Sequence, residues 1–156
     1  MINHKIILII ILSLLASCGY KPSSQKNSNL VYFKNIEIIG EQRVASILKN
    51  NILLISDKNS KNKFEAKITI TKKKISKVKN KTGKVTRYNL SLNTNLELTE
   101  LGNNTKIIKS FLRDANYEVS TTHSATITNE NNATKNLIQQ ISDDIVNYLN
   151  ILMRNK

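Results

Sequence analysis

Two stretches of this chain alternate apolar and polar residues with a period of two, and they leave few architectures open. Over residues 64–70, Phe64, Ala66, Ile68 and Ile70 share one side, with Glu65, Lys67 and Thr69 on the other. Over residues 88–98, Tyr88, Leu90, Leu92, Leu96 and Leu98 point one way, and Asn89, Ser91, Asn93, Asn95 and Glu97 the other. Successive strand residues face opposite sides of a sheet, so each stretch is a strand with one buried face. Between them, residues 72–87 carry Thr82-Gly83 near their middle. Two alternating strands around a glycine-containing tip form a long antiparallel hairpin.

The remaining elements assemble around this hairpin. Residues 30–39 (LVYFKNIEII) are rich in β-branched and aromatic side chains and end at Gly40, which predicts a strand. In residues 41–54, Val44, Ile47, Leu48 and Ile52 fall on one helical face, and Glu41 near the start suits the helix dipole. Residues 56–62 are a polar loop, and Leu101-Gly102-Asn103-Asn104 is a turn signal. A strand then runs over residues 105–119. Ile107, Phe111, Ala115, Tyr117 and Val119 share a parity that Lys109 and Arg113 break, and Ile108 and Leu112 lie opposite. That pattern fits a strand covered on both sides, or one with a bulge. After a polar stretch over 120–132, residues 133–153 form the clearest helix. Leu137, Ile138, Ile141, Ile145, Tyr148, Leu149 and Leu152 make its apolar face. The order β-α-β-β-β-α predicts an α+β two-layer sandwich: one mostly antiparallel sheet of about four strands, with two helices on one face. The other face is expected to be polar.

The N-terminus adds a separate signal. A run that is apolar apart from Ser13 spans residues 6–15 and is followed by Ala16-Ser17-Cys18. It is shorter than the roughly 20 residues that a membrane-spanning helix needs, and matches the core of a secretory signal. Cys18, the one cysteine in 156 residues, stands in the frame of a bacterial lipobox. This predicts a lipoprotein signal peptide over 1–17, a lipidated tether over 18–29 and a single α+β domain over 30–156. Acylation of Cys18 would hold the chain on a membrane. Gly19 follows the cysteine where an Asp would retain a lipoprotein in the inner membrane, so the expected site is the outer membrane, on its periplasmic side.

The chemistry-bearing residues are sparse. One cysteine precludes an intramolecular disulfide framework, and two histidines, one at position 4, argue against a histidine-built metal centre. His123 sits among Ser and Thr, but without a nucleophile-elbow pattern, so no enzymatic activity, catalytic residue, metal or cofactor is expected. Asp143 and Asp144 diverge by about 100° on a helix and cannot act as a close pair.

The charge is more informative. The chain carries +13, with 20 Lys and 4 Arg against 22 Asn and 22 Ile. AT-rich codons supply that combination regardless of function, so only the placement of charge bears on a partner. One segment concentrates it: Lys72, Lys73, Lys74, Lys77, Lys79, Lys81, Lys84 and Arg87 lie within residues 72–87, without one acid. Such a patch attracts phosphate-bearing polyanions. A membrane-anchored chain facing the periplasm favours anionic lipid over nucleic acid, and the rival reading is a solvated lysine-rich hairpin.

Several motifs together resemble the LPS-assembly lipoprotein family (LptE-like). They are Cys18-Gly19-Tyr20; Arg43 with Leu48-Lys49-Asn50-Asn51-Ile52; Arg87-Tyr88-Asn89-Leu90; Arg113-Asp114-Ala115-Asn116-Tyr117; and the helix opening at Ala133. The resemblance implies an outer-membrane lipoprotein that binds LPS and plugs a β-barrel LPS translocon or assists its assembly. It makes residues 72–87 the candidate LPS-binding segment. The alternative is a generic outer-membrane lipoprotein serving as a periplasmic scaffold or interaction module.

Overall fold

The computed structural model describes residues 31–154. The expected signal peptide, Cys18 and the expected tether lie outside the described residues. The described chain runs β1 (Tyr32–Ile39), α1 (Gln42–Leu53), β2 (Lys63–Lys79), β3 (Val85–Glu100), β4 (Lys106–Glu118) and α2 (His123–Arg154). The strands form one sheet in the order β1-β2-β3-β4. β1 and β2 are parallel and are joined through α1, as a parallel pair requires. The other two pairings are antiparallel. This is the α+β sandwich that the hydrophobic pattern predicts.

The alternating residues face the helices. Phe64, Ala66, Ile68 and Ile70 of β2 and Leu90, Leu92, Leu96 and Leu98 of β3 are buried. They share one core with Val44, Leu48 and Ile52 of α1 and Leu137, Ile138, Ile141, Ile145 and Leu149 of α2. Side-chain hydrogen bonds tie the helices together: Asn51 Nδ2 donates to Ser142 Oγ at 3.0 Å, and Arg43 Nη1 to Asn131 Oδ1 at 3.4 Å. Gly40 is fixed by geometry at the β1–α1 junction. Its φ is +145°, and a Cβ there would lie 2.6 Å from the Ile70 carbonyl oxygen, a place only glycine fills without strain.

Three expectations are extended or changed. First, the lysine-rich segment lies in the long hairpin that the alternation predicts, most of it within the strands themselves, because β2 continues to Lys79 and β3 begins at Val85. Backbone pairing with β3 carries β2 outward although its residues beyond Ile70 have little apolar core to join. Second, β4 is neither covered on both sides nor bulged. Its pairing with β3 runs without a register shift, and Ile108 and Leu112 are 69% and 61% exposed on the open face. Lys109 and Arg113 occupy the helix-facing parity because they reach sideways to α2. Arg113 makes two 2.7 Å hydrogen bonds to Asp144, and Lys109 Nζ lies 5.8 Å from the Tyr148 ring centre.

Third, α2 begins at His123, ten residues before the apolar face that announces it in the sequence. Polar contacts hold this first part. Thr122 Oγ1 accepts from the Ala125 N–H at 3.2 Å, an N-cap bond. Thr126 Oγ1 accepts from the Ser120 N–H at 3.0 Å. Asn129 Nδ2 donates to the Glu118 carbonyl and to Ser120 Oγ, each at 3.0 Å.

Candidate functional site

The eight candidate cations share one hairpin, but not one role. β2 extends over 17 residues, about 50 Å at strand rise. One end, at Lys63, lies beside Tyr32, where the described chain begins. The other end is the tip. Asn80 shapes the turn there: its Oδ1 accepts from the Thr82 N–H at 3.0 Å and the Lys84 N–H at 2.9 Å. Gly83 supplies the positive φ, +81°, that the turn needs. The basic tip and the start of β1 are therefore at opposite ends of the sheet.

Lys72 and Lys74 continue the helix-facing parity of Ile70, and both are neutralised. Lys72 Nζ lies 2.9 Å from Glu41 and 3.9 Å from Glu130. Lys74 Nζ lies 2.7 Å from Glu130 Oε2 and 4.7 Å from the Tyr88 ring centre. The Tyr117 hydroxyl donates to the same Glu130 oxygen at 2.8 Å, and the Tyr88 and Tyr117 rings stack at 5.5 Å. The Lys74 ammonium holds the Glu130 carboxyl below the usual carboxylate range, against the opposing pull of burial. The Glu130 hydrogen bond in turn raises Lys74. Burial is the main cause that raises the Tyr117 phenol. Arg87 pairs with Glu118 across β3 and β4.

Five candidates remain. Lys73, Lys77, Lys79, Lys81 and Lys84 are exposed and make none of the ion pairs among the described residues. Lys77, Lys79 and Lys81 share sequence parity, but register shifts between Ser76, Val78 and Lys79 break the regular alternation. Lys81 lies in the turn itself. Apart from Lys73, which stands opposite Ser91 within the strands, the uncompensated charge is thus a crown around the tip rather than a stripe along one face.

Beside this crown, a groove opens between the hairpin and the start of α2. Lys74, Lys84, Tyr88, Ser120, His123 and Thr126 line it. Tyr88 gives the groove an aromatic wall, Val85 and Val119 add apolar surface, and Lys84 brings an ammonium group that makes none of the ion pairs among the described residues, whereas Lys74 is already paired with Glu130. No hydrogen bond joins His123 to Ser120 or Ser124 among the described residues. The groove was not legible in the sequence because its second wall is the polar start of α2. The signal that points to it is Glu130, the only acid in residues 119–142, which selects two lysines of the run and docks the helix on them.

The motif residues on β4 and the helices are structural. Arg113 clamps the β4 edge to α2 through Asp144, Ala115 packs against the core and Tyr117 reaches Glu130. Arg43 and Asn51 bridge the two helices. No helix among the described residues is long and apolar enough to cross a membrane.

The sequence matches the family model described as LptE, lipopolysaccharide-assembly, over residues 23–149. Among solved structures the chain is similar to one described as a lipoprotein from Caulobacter crescentus CB15. That likeness has a TM-score of 0.55 at 14% identity and covers 78% of this chain and 92% of that one. It is similar also to the rare lipoprotein B from Shewanella oneidensis, with a TM-score of 0.55 at 13% identity over 78% of this chain and 97% of that one. At such identities these likenesses concern the fold. No curated protein matches the sequence.

Proposed function

The chain belongs to the LptE family of lipopolysaccharide assembly, and from that premise we propose that its basic hairpin tip holds the phosphates of LPS. In this reading Cys18 carries the lipid that anchors the chain to the outer membrane on its periplasmic side. The domain then plugs a β-barrel LPS translocon or assists its assembly. The role is binding and assembly, without a chemical step.

The observation that carries the reading is the crown of Lys77, Lys79, Lys81 and Lys84. These cations make none of the ion pairs among the described residues and stand at the end of the sheet remote from Val31. An exposed charge pair contributes only about 0–1 kcal/mol, but a diphosphorylated lipid meeting several lysines at once sums such terms. A lipid tether near Val31 would leave the tip free to reach into a partner's lumen.

Affinity purification of the full chain from gently solubilised outer membrane tests the assembly role. A co-purifying β-barrel translocon, with LPS, is the expected result; recovery of the chain with neither contradicts it. Fatty-acid labelling checks the anchor: label is expected on the wild type and lost in Cys18→Ser, and equal label on both refutes lipidation there.

A further inference from the structure

β4 is an edge strand whose outer side carries a self-complementary pattern. No strand pairs with that side among the described residues, and the strand is 13 residues long, without proline or register shift. Straight, unpaired edges of this length are templates for a further strand. The Glu100 N–H donates to the Thr105 carbonyl and the Val119 N–H to the Thr86 carbonyl, each at 2.9 Å. These two bonds set the phase of the ladder: odd-numbered residues of the β4 segment exchange backbone bonds with β3. The N–H and C=O groups of Lys106, Ile108, Ser110, Leu112 and Asp114 therefore point out from the free edge.

The side chains of the same five residues lie on the open face, and all are exposed. In order they read cation, aliphatic, small polar, aliphatic, anion. Turned antiparallel against a copy of itself about Ser110, this row sets Lys106 opposite Asp114, Ile108 opposite Leu112, and Ser110 opposite Ser110. Each charge meets its opposite, and each exposed aliphatic meets another. A centre at Leu112 leaves Ile108 opposite Asn116 instead, and a centre at Ile108 sets Lys106 opposite Ser110. Asp114 makes none of the ion pairs among the described residues. Lys106 meets Glu97 at 2.8 Å with its side chain 64% exposed, so it stays open to a second carboxylate.

We infer that two copies of this chain pair along β4, antiparallel and centred on Ser110, into one continuous eight-stranded sheet. The arrangement is isologous, as a two-fold dimer requires. It rests on the edge geometry and not on the LPS reading, uses a surface other than the hairpin tip, and concerns the chain before it meets a barrel partner. The pairing covers Ile108 and Leu112, the aliphatic residues that β4 otherwise exposes to water, and satisfies its outward backbone groups.

The test is cross-linking of the full chain in detergent, with Cys18→Ser in the background so that one introduced thiol is the only one. Opposed Cα atoms in a hydrogen-bonded antiparallel pair are about 5.5 Å apart, within disulfide reach. Ser110→Cys should give a disulfide dimer on mild oxidation, and Asn116→Cys should not. Lys106→Cys and Asp114→Cys should each stay monomeric alone and cross-link when mixed. Leu112→Lys should weaken self-association in sedimentation at least tenfold, with an unchanged melting temperature. A chain that sediments as a monomer at every concentration overturns the inference. So does cross-linking at Leu112→Cys in place of Ser110→Cys, or a strand of another protein bound to this edge.

Discussion

Thr94 stands in the middle of the buried row of β3, between Leu92 and Leu96, fully buried. Its hydroxyl has no hydrogen-bond partner among the described residues. A buried hydroxyl without a partner costs about 1–3 kcal/mol relative to an apolar group of the same shape. Thr94→Val should therefore raise the melting temperature, by an amount equivalent to about 1 kcal/mol; a lower one would show that the hydroxyl is satisfied. Glu130 is the opposite case, a polar group with several partners. Lys74 lowers its folded pKa, so its contribution is present above the unfolded value, about 4.3, and is lost as pH falls through the folded value. Glu130→Gln should accordingly melt lower than the wild type at neutral pH. The gap should narrow as pH falls below the unfolded value and through the folded one, which Lys74 sets lower. A gap that stays constant through the acid range contradicts this account of the cluster.

At the scale of elements, the helix phase of α2 decides which substitutions the fold tolerates. Ile141 is fully buried against the sheet, whereas Asn147 is exposed. Ile141→Asp removes a core aliphatic and buries an unpaired charge, a loss of about 4 kcal/mol or more, while Asn147→Asp should be nearly silent. Thermal melts of the two variants check this, and similar melting temperatures would put the helix in the wrong phase. Where burial alone organises an element, as in Phe64 to Ile70 or Leu137 to Leu149, the periodicity of the sequence was enough to place it. It failed where polar contacts take over. The first ten residues of α2 hold through Thr122, Thr126, Asn129 and Glu130, whose partners are distant in sequence or lie on the backbone. Arg113 and Lys109 interrupt the β4 pattern for a similar reason: their partners, Asp144 and Tyr148, belong to another element. The candidate site was half legible for the same cause. The run of cations is plain in the sequence, but which of them Glu41, Glu118 and Glu130 neutralise emerges only from packing.

At the scale of the whole molecule, the arrangement is polar in the directional sense. The starts of β1 and β2 share one end, and the crown of lysines occupies the other. Folding places lysines that make none of the ion pairs among the described residues at the end of the sheet remote from Val31. The central claim is that this crown recognises LPS phosphates, and it is open to direct measurement. LPS binding by the full chain should be followed over a series of salt concentrations, for the wild type and for the combined Lys77→Gln, Lys79→Gln and Lys81→Gln variant. Counter-charge binding weakens as the Debye length shortens, from about 30 Å at 0.01 M salt to about 10 Å at 0.1 M. The wild type should bind tightly at low salt and weaken steeply, whereas the triple variant should bind less and depend little on salt, with the same melting temperature. A triple variant that binds LPS as tightly as the wild type at low salt would contradict the claim and leave the lysine tip a solvated surface.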